Sequence, residues 1–329
     1  MSMDQGISAS VIIPTYNGAS RISRCLDALR SQGSEQALEI IVVNDGSTDN
    51  TVEVIRQRYP DVRVITQPNA GPAAARNRGA SEAKGSIILF TDDDCEPTPG
   101  WLDAMLGPFS DPEVVGTKGA YRTRQPQVIA RFVQAEYEDK YRVMSGHENI
   151  DFVDTYSAAF RRDKFLEMNG YDTQFPVACA EDIELSYRMS ARGWKMRFVP
   201  EAIVYHQHPK SFTGYLKKKF KFAFWRMLAL KKNPEKAVND THTPQLMKVQ
   251  LLFCPALIGT IAFDLLVEPR VFTSIYVLGI FLLLTLPFSL RAALKDPVVG
   301  IASPAILAAR SIAQLLGVVC GVVGARRRC

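Results

Sequence analysis

Four short apolar runs, separated by segments with helical spacing, open the chain and restrict it to few folds. Residues 10–14 (SVIIP), 39–43 (EIIVV), 62–66 (VRVIT) and 87–90 (IILF) each have the length and composition of a buried strand. After the first run, residues 19–31 carry Ile22, Leu26 and Leu29 at helical spacing. A second helix carries Val52, Ile55 and Arg56, with Thr48 or Asp49 placed to cap it. A third, Ala-rich, runs over 72–84 with Pro72 at its start. Strands alternating with helices predict parallel βαβ units with right-handed crossovers. Sheets of that kind bind ligands outside the carboxyl ends of their strands.

Three polar clusters fall at such ends: Thr15-Tyr16-Asn17, Asp45-Gly46-Ser47 and Asp92-Asp93-Asp94. The last closes the run SIILFTDDDCEP over 86–97. If the backbone stays extended there, Asp92 and Asp94 point to the same side, because strand side chains repeat every second residue. Two such carboxylates repel unless a positive charge lies between them, and a divalent cation carrying a diphosphate meets that need. A solvated acidic turn is the plainer alternative.

Beyond Pro97 the character changes. A short helix starts in 99–102, a strand is expected over 114–121 and a long charged helix over 127–144. A strand over 157–160 leads into a helix over 162–168 that ends at Asn169-Gly170. Residues 181–188 form a helix whose first turn holds Glu181 and Asp182, suited to the positive end of its dipole. Helix capping alone would account for that pair. Short strands over 197–199 and 202–205 precede His206 and His208.

The 329 residues suffice for one large domain or two smaller ones. The apolar fraction of 47% conceals a split between a mixed, charged part up to about 248 and a mostly apolar remainder. A net charge of +5 is mild and, with no reading module, excludes nucleic acid as the expected partner. Six scattered cysteines show no zinc or disulfide spacing and fit a reducing compartment. The first residues are polar and carry no signal-peptide pattern, so a cytosolic N-terminal domain is expected.

The runs VIIPTYN (11–17), VNDGSTD (43–49), ARNRG (75–79), DDD (92–94) and ED (181–182) together resemble family 2 glycosyltransferases with the GT-A fold. GYD (170–172) and GW (193–194) fit the same pattern, so the likeness runs from about residue 10 to 208. The resemblance implies a Rossmann-like α/β catalytic domain and inverting transfer from a nucleotide-activated sugar. It implies nucleotide-sugar contacts from Pro14, Thr15, Tyr16, Asn17, Asp45, Gly46, Arg76, Asp92 and Asp93. It implies a divalent metal, Mg²⁺ or Mn²⁺, on Asp94 and Asp92, with Asp94 the stronger candidate and Asp93 the variable middle position. His206 matches a late metal- or diphosphate-binding position, and His208 is an equal candidate. Asp182 matches the catalytic base, with Glu181 its neighbour. The chemistry is consistent with these roles: the leaving nucleotide needs its charge neutralised, and attack by an acceptor hydroxyl needs a base.

Residues 210–248 form a basic amphipathic region. Phe212, Leu216, Phe220, Ala223, Met227 and Leu230 recur at helical spacing, flanked by Lys217, Lys218, Lys219 and Lys221. That pattern describes a helix lying on an anionic membrane surface. Residues 249–267 and 271–290 are each long enough to span, and Glu268-Pro269-Arg270 is read as the turn of their hairpin. Residues 298–325 are apolar but interrupted by Pro304, Arg310 and Gln314. A third span would place Arg326-Arg327-Arg328 outside, against the positive-inside tendency, whereas a re-entrant or interfacial segment would keep them inside. The segment is taken as a third span whose Arg310 faces protein or a lipid phosphate.

The expected organisation is a catalytic domain over 1–209, an interfacial region over 210–248 and a membrane domain over 249–329, placing the chain in the cell membrane with a cytosolic active site. The expected function is metal-dependent, inverting transfer, with a UDP-sugar as the favoured donor. The acceptor is a lipid-linked or glycan molecule of cell-envelope polysaccharide or glycolipid synthesis, and membrane lipids are the other partner. Two alternatives are a polyprenyl-phosphate sugar synthase, with the lipid phosphate as nucleophile, and a non-catalytic nucleotide-sugar-binding subunit of a membrane synthase.

Overall fold

A computed structural model describes residues 9–34, 38–175, 179–237, 240–267 and 272–326. The turn expected at Glu268–Arg270, and Arg327 and Arg328, lie outside the described residues. The chain forms two compact units.

The first unit comprises Met1–Arg124, Met144–Gln207 and Ala229–Thr241. It is built on a sheet of eight strands: β1 (Ala9–Thr15), β2 (Leu38–Asp45), β3 (Arg63–Gln67), β4 (Ile87–Phe90), β5 (Glu96–Pro97), β6 (Val114–Arg122), β7 (Ala158–Arg161) and β8 (Lys195–Tyr205). Their order is β3-β2-β1-β4-β7-β6-β8-β5. The first four are parallel, and Ile12 of β1 lies opposite Ile41 of β2 and Phe90 of β4. Val11, Ile12, Ile13, Ile41, Val42 and Val43 are fully buried, as strands covered on both faces require. Helices α1 (Ile22–Arg30), α2 (Thr51–Arg58) and α3 (Pro72–Glu82) make the crossovers, and Pro72 opens α3 as expected. A short α4 (Trp101–Leu106) follows β5.

The later strands depart from the simple parallel reading. β7 is antiparallel to both β4 and β6, and β5 is antiparallel to β8. The two short strands expected over 197–205 are one strand, β8, whose register against β6 shifts between Lys118 and Ala120. Gly119 sits at that shift, where a Cβ would lie 2.1 Å from Ser157 Oγ and 2.3 Å from the Ala202 carbonyl oxygen, so a side chain there would displace the β8 backbone. Phe90, Phe160, Phe165 and Tyr171 pack with ring centroids 5.2–6.3 Å apart, filling the space under the carboxyl end of β4. Deleting one such buried ring costs about 3–5 kcal/mol.

The second unit comprises Gln125–Val143, His208–Leu228 and His242–Cys329. It contains most of α5 (Val128–Met144), most of α8 (Phe212–Lys232), and α9 (Gln245–Leu266), α10 (Thr273–Lys295) and α11 (Pro297–Arg326). The remaining helices, α6 (Arg162–Glu167) and α7 (Glu181–Ala191), belong to the first unit. Among the described residues, three helices, α9, α10 and α11, are long and apolar enough to cross a membrane. Phe132 of α5, Tyr215 of α8, Phe288 of α10 and Leu307 of α11 share one apolar cluster. Arg310 faces protein: it donates to Glu136 Oε1 at 3.0 Å and to Gln250 at 2.5 Å. Glu136 also takes Lys219 at 2.9 Å and the Tyr215 hydroxyl at 3.1 Å, so a charge inside an apolar helix is paired. Asp264 accepts from the Thr273 and Ser274 amides at 2.8 and 2.7 Å and thereby caps α10.

Candidate active site

The acidic triplet does not continue the strand. The Cys95 amide donates to Asp92 O at 3.1 Å, which closes a turn just past β4. The expectation that Asp92 and Asp94 point to one side from an extended backbone is therefore corrected. The turn sends three like charges toward three different partners, which relieves their repulsion.

Asp92 accepts from Arg76 Nη2 at 2.7 Å. Arg76 is fully buried on α3, and its other terminal nitrogen donates to Glu181 Oε1 at 3.2 Å. One guanidinium thus joins the end of β4 to the start of α7, using the planar fork that suits two carboxylates. The paired carboxylates hold the Arg76 pKa above its ordinary value despite the opposing effect of burial. Glu181 Oε2 also accepts from the Cys179 and Ala180 amides at 2.8 and 3.1 Å, so its carboxylate fixes the turn leading into α7 while anchoring Arg76.

Asp93 is buried. It accepts the Thr15 hydroxyl at 2.5 Å and Arg21 Nε at 2.6 Å. Arg21 further donates to the Asn17 and Tyr16 carbonyls, each at 3.0 Å, which folds the loop after β1 over the acidic turn. Asn17 takes a left-handed backbone (φ 51°), and its Oδ1 accepts the Thr48 amide at 2.8 Å. Pro14 lies near the end of β1, while the Tyr16 side chain is exposed.

Asp45 ends β2, buried. Its Oδ1 accepts from Gln67 Nε2 at 2.8 Å and the Ala70 amide at 2.9 Å, and its Oδ2 accepts from the Gly71 amide at 2.9 Å. Gly46 follows with φ 76°, and a Cβ there would lie 2.8 Å from Asn69 N. Asp45 and Gly46 therefore fix the 67–71 loop beside the first two polar clusters.

Asp94 Oδ2 lies 3.8 Å from His206 Nε2, and donor atoms of Asp94, Cys95 and His206 all fall within 4.8 Å of one another. The His206 ring lies against Tyr156, with centroids 4.5 Å apart. Burial, then Asp92 and Asp93, push the Asp94 carboxyl up to about 6. Burial raises the Cys95 thiol well above its usual range, so it stays protonated. His208 belongs to the second unit, where it bonds Gln125 and stacks on Tyr137 at 5.4 Å. The structure thus brings His206, and not His208, to the acidic turn, and it turns Asp92 toward Arg76.

Asp182 is half-buried on the first turn of α7, and its Oδ1 accepts the Ile183 amide at 2.8 Å. Burial, followed by Glu181 and Asp154, raises its pKa well above the ordinary carboxylate range. Asp154 forms a buried pair with Lys118 at 2.5 Å. Arg21, Lys118 and Asp154 were not anticipated from sequence. Lys118 carried a signal, a lone charge inside the apolar run VVGTKGAY, which is rare without a buried partner. Arg21 carried none.

Residues 10–168 match the model of Glycosyl transferase family 2. The pre-mycofactocin glycosyltransferase of Mycobacterium tuberculosis is 28% identical over 222 residues, 64% of this chain and 45% of that protein. The chain therefore spans less than half the length of this relative. Glycosyltransferase AglE of Haloferax volcanii is 29% identical over 220 residues, 64% of this chain and 70% of that protein. Among solved structures, the mannosyltransferase PcManGT from Pyrobaculum calidifontis, in complex with GDP-Man and Mn²⁺, superposes with a TM-score of 0.62 at 20% identity. That similarity covers 97% of this chain and 88% of the other. With the sheet order and these likenesses together, the chain has a GT-A fold, and its residues 10–168 are similar to Glycosyl transferase family 2.

Proposed function

We propose that the chain transfers a sugar, with inversion, from a nucleotide-sugar donor to a lipid-linked acceptor of cell-envelope polysaccharide or glycolipid synthesis, and that a UDP-sugar is the donor. The observation that carries this reading is the Arg76 bridge, which ties the acidic turn to the first turn of α7 through bonds of 2.7 and 3.2 Å. Donor and acceptor chemistry need both elements in one site. PcManGT, of the same fold, was solved with GDP-Man and Mn²⁺.

The residues fit a divalent metal. A carboxylate and an imidazole, from Asp94 and His206, suit Mn²⁺ or Mg²⁺, whereas the protonated Cys95 thiol adds no hard ligand. When bound, such an ion neutralises charge on the diphosphate that leaves. Thr15, Asn17, Asp45 and Gly46 form the wall for base and ribose at the ends of β1 and β2. Arg76 holds Asp92 and Glu181 in place, and Glu181 acts as a positioning residue. Asp182 takes the proton from the acceptor hydroxyl as that oxygen attacks the anomeric carbon opposite the leaving nucleotide. A raised pKa suits this base, because proton transfer is most effective near the working pH.

The lipid acceptor and the cytosolic placement rest on α9, α10 and α11 and on the lysines of α8, which keep this chain at a bilayer. The test is a panel of nucleotide sugars scored for Mn²⁺-dependent hydrolysis by the purified chain, repeated with membrane lipid extracts. Sugar transferred into the lipid fraction supports the reading. Transfer only to water-soluble acceptors, with lipid extracts inert, removes the lipid part; no hydrolysis of any donor removes the enzymatic part.

A further inference from the structure

Length and composition allow α11 to cross a bilayer, but its packing runs along most of its length. Val299, Ile306 and Leu307 share a buried cluster with Phe132 and Val133 of α5 and with Tyr215 of α8. Arg310 pairs with Glu136 of α5 at 3.0 Å. The C-terminal part packs on α8 through glycines. A Cβ on Gly317 would lie 2.4 Å from the Phe220 carbonyl oxygen, and one on Gly321 would lie 2.6 Å from that of Phe224. The contacts advance together along both helices, so α8 and α11 run parallel with their C-terminal ends side by side.

Chain connectivity then assigns a side. α5 follows Arg124 and leads to Met144, both in the catalytic unit. α8 starts soon after Gln207 and continues into the catalytic unit at Ala229. Each helix leaves that unit and rejoins it, so neither crosses a bilayer. The start of α11 is tied to α5 as well: Asp296 pairs with Arg131, and the adjacent Lys295 pairs with Glu138 at 2.6 Å. Its far end lies against Phe224 and Met227, a few residues before α8 rejoins the catalytic unit. A single crossing by α11 would carry that end about 30 Å through hydrocarbon, away from α8.

We propose that α11 does not cross the membrane: it lies in the bilayer interface beside α8, both ends on the catalytic side, and only α9 and α10 span. The partner of this platform is the boundary between lipid headgroups and acyl chains. Ile301, Ile312, Leu316, Val319 and Val323 are exposed. At about 100° per residue they fall within about 60° of one another, on the face opposite Gly317 and Gly321. Lys217, Lys218 and Lys221 of α8 supply the charge for anionic headgroups. Arg310, midway along α11, then meets Glu136 at the interface instead of resting in hydrocarbon. The membrane placement stands apart from the choice of donor and acceptor.

The test is spin-label depth measurement on the full-length chain in lipid vesicles, with single labels at Ile301→Cys, Ile312→Cys and Val323→Cys. All three side chains face outward, so the labels leave the packing intact. The platform predicts three similar depths, within about 5 Å of each other, near one interface. A graded series, with 301 and 323 separated by about 30 Å, overturns it. A second arm uses an epitope after Cys329 in sealed vesicles whose catalytic unit faces outward. External protease should remove it, and protection of the epitope overturns the proposal.

Discussion

Asp93 accepts the Thr15 hydroxyl at 2.5 Å, and this one bond fastens the end of β1 to the acidic turn beyond β4. A middle residue read as variable is therefore the tie between two walls of the proposed donor site. Asp93→Ala should lower stability by about 1–3 kcal/mol, the cost of leaving a buried polar partner unsatisfied. It should also weaken nucleotide-sugar binding, because Arg21 loses the anchor that folds the β1 loop. Asp93→Asn should retain most stability, since its side-chain oxygen still accepts from Thr15. Urea midpoints for the two variants check this, and equal midpoints for wild type and Asp93→Ala would contradict it.

Arg76 holds two carboxylates at once, and lysine has no fork with which to do so. Arg76→Ala leaves Asp92 and Glu181 facing each other in a buried site and should cost about 3–5 kcal/mol. Arg76→Lys should fold yet lose turnover, because a single ammonium cannot hold both the acidic turn and α7. Thermal unfolding read beside donor hydrolysis separates these effects.

The acidic limb of the pH–rate profile should belong to Asp182. A base works deprotonated, so the rate rises as pH climbs through its pKa, which burial, Glu181 and Asp154 place above the ordinary carboxylate range. Asp154→Asn removes one of those negative neighbours, which favours the ionised form of Asp182. The limb in kcat/KM should then move to lower pH. A limb that stays or moves to higher pH would assign it to another group.

Helix packing in the second unit is equally testable. Gly317→Leu and Gly321→Leu place side chains where carbonyl oxygens of α8 lie 2.4 and 2.6 Å from the Cβ position. Each should lower the unfolding temperature in detergent, whereas Val319→Leu, on the exposed face, should leave it unchanged.

The first four strands are readable in the sequence because each is a short, largely apolar run and a helix separates each from the next. The polar clusters at their ends are readable for the same reason, since ligand sites collect at carboxyl strand ends. The chain beyond β4 is harder to read. Antiparallel pairing of β7 depends on contacts between Ile88 and Phe160, and between Thr117 and Ala159, that no local pattern encodes. The turn at Asp92–Cys95 looks extended in sequence because the hydrogen bond closing it is a backbone bond, silent in side-chain identity. Arg21 lies 72 residues from Asp93 and is likewise invisible. His206 and His208, equal by spacing, are separated only by the fold, which sends one to Asp94 and the other to Gln125 and Tyr137.

The most direct test of the mechanism is turnover by Asp182→Asn, measured with the donor that wild type hydrolyses and transfers in the presence of Mn²⁺. The substitution removes the base and leaves the acidic turn and the Arg76 bridge in place. Donor binding should be unchanged while kcat for transfer falls by about 10²- to 10⁴-fold. Transfer at near wild-type rate would contradict Asp182 as the base and point instead to a lipid phosphate, which needs none, as the nucleophile.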